Sequence, residues 1–218
     1  MNSKILNRLK TIALALLPLL GAGVEVSCSE DSGVEDEYAN WTSRNDVYFA
    51  SLADSLSQNP TQWRKIKSVY LSSVSEGSAT DYIYVKVLDS GTETVSPVYT
   101  DSVRISYQGR IIPTTSYPQG YPFDGTVYGT YNTATNSTAK FRVSSLVDGM
   151  STALQYMHRG DHWRVYIPST LGYLEQDKTS TGIPPHSVLI FEMTLIDFSH
   201  AGEVMPVWSS RRNVLEEE

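Results

Sequence analysis

Seven side chains in the second half of the sequence suit an apolar binding pocket. They stand beside turns or at strand positions, and they are Tyr107, Phe123, Asp124, Phe141, Tyr173, Ile183 and Phe191. Each aromatic residue, considered alone, is more often part of a core than of a ligand site. Together they could form a dry cavity with one buriable acid, Asp124. Such a cavity can favour a less polar state of a bound group without covalent chemistry.

The sequence lacks the signatures of several common catalytic and cofactor sites. No G-x-S-x-G nucleophile elbow, phosphate-binding loop or dinucleotide fingerprint occurs. His158 and His162 lie four residues apart, but Gly160 would break a helix between them and no third ligand is spaced nearby. We therefore expect two solvated turn histidines, no metal and no cofactor.

Charge and cysteine content exclude further classes of function. The net charge is −7 and no segment is dense in lysine and arginine, which argues against a nucleic-acid surface. Cys28 is the only cysteine, so neither an intramolecular disulfide nor a cysteine-based zinc site can form. A length of 218 residues allows one sizeable domain with extensions, or two small domains.

The N-terminus has the pattern of an export signal. Basic residues precede an apolar stretch at residues 11–24, which is too short to span a bilayer comfortably. Cys28 follows it, and this arrangement resembles the lipobox of bacterial lipoproteins, in which the cysteine is acylated and becomes the new N-terminus. Ordinary cleavage near residues 21–23 is the alternative.

The segment directly after Cys28 is strongly acidic. Residues 29–37 contain five acidic side chains, a run that cannot pack and predicts a solvated tether. It also resembles the acidic segment that follows the cysteine in surface-exposed lipoproteins of Bacteroidetes-like bacteria. A simple spacer is the alternative.

One helix is predicted between the acidic run and the pocket residues. Apolar residues recur near helical spacing between about residues 35 and 57, and Asn59-Pro60 ends the pattern. The stripe consists of Tyr38, Trp41, Tyr48, Phe49, Leu52 and Leu56. It could pack on its own domain or on a second copy of the chain. Residues 62–70 follow as a short helix or strand, and residues 72–80 as a linker.

From Asp81 onward, apolar and polar residues alternate, which indicates antiparallel strands with one buried face. The predicted strands cover residues 82–88, 101–112, 162–168 and the stretch around 189–195. Between them one helical stripe consists of Leu146, Met150, Leu154 and Met157. Ser145 and Asp148 would form a capping-box start and Gly160 would end the helix. The pattern predicts an α+β domain with the helix covering one face of the sheet.

Four ordered segments resemble an FK506-binding-protein (FKBP) domain. They are VRISYQGRI, FDGTVY, FRVSSLVDGMSTALQYMHRGDHWRVYIPSTLGY and IPPHSVLIFEMTLIDF, and the resemblance extends from about Tyr82 to Phe198. It implies a twisted, half-barrel antiparallel sheet wrapped around a short amphipathic helix, preceded here by the N-terminal helix. The implied activity is peptidyl-prolyl cis-trans isomerisation in an apolar pocket between helix and sheet.

The resemblance also assigns roles to individual positions. The catalytic positions correspond to Tyr107, Phe123, Asp124, Tyr173 and Phe191, and the substrate-binding positions to Phe141, Leu146, Val147, Met150 and Ile183. In the family, the backbone at the positions of Leu146 and Val147 hydrogen-bonds the ligand, and the tyrosine hydroxyl at Tyr173 meets a ligand carbonyl. Ile183 would form the lip of the pocket, in a loop stiffened by the two prolines that follow it.

The sequence departs from the family pattern in four places. Met150 replaces the tryptophan that usually forms the pocket floor, and Leu174 replaces a glycine after the tyrosine. Residues 113–122 are an insertion, and Gly125 replaces a serine. We expect the fold to tolerate all four changes, whereas the pocket shape and the turnover rate depend on them.

The chain is thus predicted to have five parts. These are a signal segment (1–28), an acidic tether (29–37), a helical segment with its linker (38–80), an FKBP-like domain (81–199) and a C-terminal tail (200–218). We predict an exported isomerase of the bacterial envelope, lipid-anchored to the outer membrane, that acts on Xaa–Pro bonds of exported proteins. FK506- and rapamycin-type macrolides would bind weakly, and copies could associate through the N-terminal helix. The alternative is a non-catalytic peptide-binding or chaperone module, and a nutrient-binding surface lipoprotein ranks below both.

Overall fold

The computed structural model describes residues 36–71, 77–133, 135–176 and 178–206. The predicted signal segment with Cys28, most of the acidic tether and most of the C-terminal tail lie outside the described residues.

Two helices and seven strands are found in the described part of the chain. In chain order they are α1 (Trp41–Gln58), β1 (Trp63–Lys67), β2 (Tyr82–Asp89), β3 (Ser102–Arg110), β4 (Pro122–Gly125), β5 (Ala139–Arg142), α2 (Asp148–Leu154), β6 (His162–Ile167) and β7 (Leu189–Ser199). The helices described are not long and apolar enough to cross a membrane.

All seven strands belong to one antiparallel sheet, so the predicted α+β class is confirmed. The strand order is β1-β2-β6-β7-β3-β4, and β5 pairs with the other end of β3. Four of the strands coincide closely with the alternating segments of the sequence, because one face of each is buried and the other is more polar. The long β7 lies between β6 and β3 and forms the middle of the sheet.

The short helix α2 packs very closely on one face of the sheet. A Cβ atom added to Gly149 would collide with the side chain of Ile167 on β6, so only glycine lets the helix approach this far. Met150 and Leu154 of the helix are buried in the same core. This face of the sheet is the one on which the pocket residues converge.

The boundaries of α2 differ from the prediction. The helix begins at Asp148 with Val147 as its cap, and it ends at Leu154. The predicted capping box is wrong, since Ser145 donates its hydroxyl to the carbonyl of Arg142 in a preceding turn. Leu146 and Met157 carry the apolar stripe beyond the helix because the turns on either side also pack against the core.

The helix α1 packs on the opposite face. Its Phe49 ring lies 5.2 Å from that of Tyr84, and Tyr48 lies 6.4 Å from Tyr166. Since Tyr166 and Ile167 are consecutive in β6, their side chains leave opposite faces of the sheet. The apolar stripe predicted for this helix therefore packs on its own chain, where Trp41, Phe49 and Leu52 are buried.

The segment after α1 is a strand rather than a helix. β1 pairs with β2 along five residues and so adds an edge strand to the sheet. The Trp63 ring on this strand stacks on Tyr166 at 5.4 Å. Residues on both sides of the predicted linker at 72–80 thus contribute to one sheet.

Candidate functional site

A cavity of about 400 Å³ opens on the sheet face that α2 covers. All ten residues that the resemblance assigned to the pocket line it. They are Tyr107, Phe123, Asp124, Phe141, Leu146, Val147, Met150, Tyr173, Ile183 and Phe191. Two further lining residues, Ser145 and Thr181, were not predicted, because neither type is distinctive in a turn-rich sequence.

Aromatic rings from four strands form the walls. Tyr107 on β3 lies edge-on to Phe141 on β5 at 5.6 Å, and its ring is 6.3 Å from that of Phe191 on β7. Phe123 on β4 meets Phe191 edge-on at 5.5 Å. These separations lie in the range that favours edge-to-face aromatic pairs. Each ring is therefore held by a neighbour as well as by its strand.

The rings approach closely because β3 carries a glycine beneath them. A Cβ atom on Gly109 would lie 2.7 Å from two carbons of the Phe123 ring and 2.8 Å from Phe191. No side chain fits at this position while the two rings keep their places. The alternating pattern of residues 101–112 places Gly109 on the inward face of its strand. It does not indicate that two rings from other strands meet there.

The acid of the site is bound by a tyrosine. The Tyr107 hydroxyl donates a 2.8 Å hydrogen bond to Asp124 Oδ2, while Asp124 Oδ1 accepts from the backbone N–H of Gly125. Burial of the ring, then the hydrogen bond and charge of Asp124, raise the pKa of Tyr107. The hydroxyl therefore stays protonated and holds the carboxylate at the rim. Asp124 itself is exposed in the free protein.

Among the donors at the cavity, two that the resemblance singles out have no hydrogen-bond partner within the described ranges. The hydroxyl of Tyr173 is one, and the backbone N–H of Val147, at the cap of α2, is the other. Burial and the charge of Asp124 raise the pKa of Tyr173, so its hydroxyl also stays protonated. Both groups match the donors that the resemblance predicted, and both can meet carbonyl oxygens of a bound chain.

The floor and the lip of the cavity are apolar. Met150, on the first turn of α2, is only 3% exposed. Ile183 is buried at the other side and is fixed by its backbone, whose N–H donates to the carbonyl of Lys178. Gly182 precedes it with φ at 81°, and the ring of Tyr121 from the insertion lies directly against this glycine. The insertion therefore reaches the lip of the cavity.

The two histidines considered as metal ligands have other partners. His162 Nε2 lies 3.1 Å from Glu192 and its ring stacks on Tyr131, while His158 lies beside Asp161. Within the described ranges, no three His, Cys, Asp or Glu side chains are grouped so that they could hold a metal ion.

Replacing Leu174 by glycine is expected to stabilise the protein by about 0.5–1 kcal/mol. Leu174 has φ at 55° and is half exposed, so its side chain gains little burial in a left-handed conformation. That conformation costs about 1–2 kcal/mol for a residue with a Cβ, against about 0.5–1 kcal/mol for the greater entropy loss of glycine. Chemical unfolding measures the difference. The control Leu174→Ala keeps the strain, so an equal stabilisation by alanine would contradict the explanation.

The sheet, the helix packed on it and the aromatic cavity between them form the arrangement that the resemblance to FKBP domains implies. Residues 93–196 match the family model of the FKBP-type peptidyl-prolyl cis-trans isomerases. The match agrees with the family that the four sequence segments resemble.

The chain is also similar to curated proteins. The FKBP-type 22 kDa peptidyl-prolyl cis-trans isomerase of Escherichia coli is 34% identical over 112 residues, which are 51% of this chain and 48% of that protein. The outer membrane protein MIP of Legionella longbeachae is 34% identical over 118 residues, 53% of this chain and 44% of that protein. The chain thus spans about half the length of the curated relatives it matches.

A crystal structure of a peptidyl-prolyl cis-trans isomerase from Pseudomonas syringae superposes with a TM-score of 0.52 at 23% identity. The match covers 77% of this chain and all of that one. This likeness supports the fold.

Proposed function

We propose that this protein is a peptidyl-prolyl cis-trans isomerase and that residues 81–199 carry the activity. The observation that supports it most directly is the convergence of all ten assigned residues on one aromatic cavity with two free donors. The proline ring of a substrate enters between Phe123, Phe191 and Met150, and the chain on either side runs along the rim.

The chemistry required is non-covalent. Rotation about an Xaa–Pro bond crosses a barrier of about 18–20 kcal/mol, because twisting the bond removes amide resonance. The uncatalysed step takes on the order of tens to hundreds of seconds. An apolar cavity favours the twisted amide, which is less polar than the planar one, and so lowers the barrier without a nucleophile or a metal.

The two free donors have an orienting role. Val147 N–H and the Tyr173 hydroxyl each donate a hydrogen bond to one substrate carbonyl, which fixes the chain on both sides of the proline ring. Tyr107 and Asp124 satisfy each other, so their role is to shape the wall rather than to transfer a proton.

The experiment that tests the function is a peptide isomerisation assay. The protein from the cysteine onward should accelerate cis-to-trans conversion of a Leu–Pro or Phe–Pro peptide above the uncatalysed rate at catalytic concentration. The alternative, a non-catalytic peptide-binding or chaperone module, predicts binding of the same peptide without acceleration. Faster isomerisation of the peptide would exclude the non-catalytic module. Isomerisation at the uncatalysed rate would exclude the isomerase function.

Met150→Trp should raise kcat/KM by about three- to tenfold. A flat ring in place of the flexible thioether gives the proline an aromatic contact worth roughly 0.5–1.5 kcal/mol, and about 1.4 kcal/mol corresponds to a factor of ten. The same change should tighten binding of FK506- and rapamycin-type macrolides, which we propose as weak ligands of the parent. Lower activity with an unchanged melting temperature would contradict the role of Met150 as the floor.

We propose a place in the bacterial envelope. Support comes from the name of the Legionella longbeachae relative, an outer membrane protein, and from the signal-like N-terminus that ends at Cys28. In this proposal Cys28 is acylated and residues 29–37 form the tether between the lipid and the domain. The substrates are exported polypeptides with Xaa–Pro bonds. Association of two copies would use the outward face of α1, where Val47 is exposed, because the inward face is occupied by the sheet.

Cys28→Ser should release the protein from membranes into a soluble envelope fraction. The reason is that serine offers no thiol for acylation, while the rest of the signal segment is unchanged. Fractionation and intact-mass analysis measure the outcome, with Ser27→Ala as the matched control that keeps the thiol. A substituted protein that still sediments with membranes, beside a parent that carries no lipid mass, would refute the anchor.

A further inference from the structure

The helix α1 reaches the loop that forms the lip of the cavity, although the helix and the cavity lie on opposite faces of the sheet. The loop runs from Ile183, which lines the cavity, to Val188, which precedes β7. Ile183 contributes to the cavity on one face of the sheet, whereas Ser187 and Val188 at the other end of the loop contact α1 on the opposite face. The first turns of α1 contact the end that is remote from the cavity.

One contact is a relay of two hydrogen bonds through a serine. Trp41 Nε1 on α1 donates to Ser187 Oγ at 2.9 Å, and Ser187 Oγ donates to the carbonyl of Pro184 at 2.6 Å. Trp41 and Ser187 are both buried. The carbonyl that receives the last bond belongs to the residue directly after Ile183, so the relay ends beside the lip.

A second contact lies one helical turn further along α1. The backbone N–H of Val188 donates to Asn45 Oδ1 at 2.7 Å, and Asn45 Nδ2 donates to the carbonyl of Trp41 at 2.8 Å. Asn45 is only 1% exposed, and a buried amide is retained where both of its polar ends are satisfied. Its side chain therefore has a fixed orientation, with the oxygen directed at the loop.

The residues before α1 contact the other segment that supports the lip. The Glu37 carboxylate accepts hydrogen bonds from the N–H and the hydroxyl of Ser116 in the insertion, at 3.0 and 2.6 Å. The ring of Tyr121, from the same insertion, lies against Gly182. The N-terminal segment thus contacts the supports of Ile183 on both sides.

We propose that Trp41 and Asn45 are positioning residues for the isomerase site, acting through Ser187 and Val188 to hold Ile183 over the cavity. This inference rests on the proposed function for its catalytic consequence. Trp41 and Asn45 touch neither the cavity nor a substrate. They restrict the loop, so that the lip is already in place when a proline enters, and the substrate does not have to order it.

The alternative is that these contacts only stabilise the fold. The two explanations predict faster hydrogen exchange in different parts of the protein after a substitution. A loss of general stability raises hydrogen exchange throughout the sheet, whereas a loss of the proposed restraint raises it in the lip loop first. Three amides report on the loop: Ile183 donates to Lys178, His186 to Leu174, and Val188 to Asn45.

The experiment uses two variants and one matched control on the same helix. Trp41→Phe keeps a ring in the core but removes the N–H that starts the relay, and Asn45→Ala removes the acceptor for Val188. The control Phe49→Leu loosens the core of α1 against Tyr84, two turns from Trp41, without touching the loop. Global stability is measured for each, and native-state hydrogen exchange is read at Ile183 and His186 with Phe191 in β7 as the internal reference.

The proposal predicts exchange at Ile183 and His186 at least about tenfold faster, relative to Phe191, in both variants and unchanged in the control. It also predicts a rise in KM of about three- to tenfold with a smaller change in kcat, since binding must then order the loop. Unchanged relative exchange in Trp41→Phe and Asn45→Ala, or an equal change in Phe49→Leu, overturns it. Hydrogen exchange can be measured whether or not the protein is active. An inactive parent protein would therefore refute the proposed isomerase function, while the exchange data would still decide whether Trp41 and Asn45 hold the lip loop.

Discussion

Phe123→Ala is expected to lower kcat/KM for a Leu–Pro peptide by about 10- to 100-fold. The ring forms one wall of the cavity and is half buried against Phe191. Contact with an apolar side chain of this size contributes about 1.5–3 kcal/mol, and in this site the contact is made with the proline ring of the substrate. Each 1.4 kcal/mol corresponds to a factor of ten in rate. The peptide assay measures the ratio directly.

The matched control for this variant is Tyr156→Ala. Tyr156 is an aromatic residue that is 47% exposed after α2 and does not line the cavity. It should leave kcat/KM within about twofold of the parent. A Phe123→Ala protein with nearly parental activity, or an equal loss in both variants, would contradict the assignment of this wall.

Gly109→Ala is expected to lower both the activity and the stability through packing alone. The added Cβ would stand 2.7 Å from the Phe123 ring and 2.8 Å from Phe191, so both walls must shift. Overpacking of this kind costs about 1–3 kcal/mol of unfolding free energy. We expect kcat/KM to fall at least about tenfold, because the two displaced rings are those that contact the proline. Chemical unfolding and the peptide assay measure the two effects.

A second substitution separates the clash from a general effect on β3. Phe123→Leu removes the ring carbons nearest to Gly109 but leaves the contact with Phe191, so the double variant should recover part of the stability lost in Gly109→Ala. If the double variant loses as much stability as the two single variants together, or more, the clash with Phe123 is not the cause.

The sheet was the most predictable part of the fold. β2, β3, β6 and β7 each have one buried face, and this leaves a period of two in the sequence that requires no knowledge of partners. The bounds of α2 were less predictable, because Leu146 and Met157 belong to the same apolar stripe but lie in turns. The apolar periodicity of a sequence reflects which residues are buried. Because buried residues continue beyond the hydrogen-bonded turns of α2, the periodicity does not mark where the helix ends.

The cavity was predictable from the family pattern rather than from periodicity. Phe123 or Tyr173 alone would be assigned to a core, and only the ordered segments placed them in one site. The role of Gly109 could not be predicted from spacing, because it depends on two rings that arrive from other strands. The contact of Trp41 with Ser187 joins residues 146 positions apart, and no local pattern in the sequence encodes such a pairing.

The measurement that tests the central claim most directly is exchange NMR on a Leu–Pro peptide with a small fraction of the protein present. Shifts of the peptide signals report binding, and exchange cross-peaks between the cis and trans forms report turnover, so the two functions are read in one sample. We expect both the peptide shifts and the exchange cross-peaks for the parent protein, and we expect the cross-peaks to be lost in Phe123→Ala. Peptide shifts without cross-peaks in the parent would contradict this expectation and would leave a binding module in place of an enzyme.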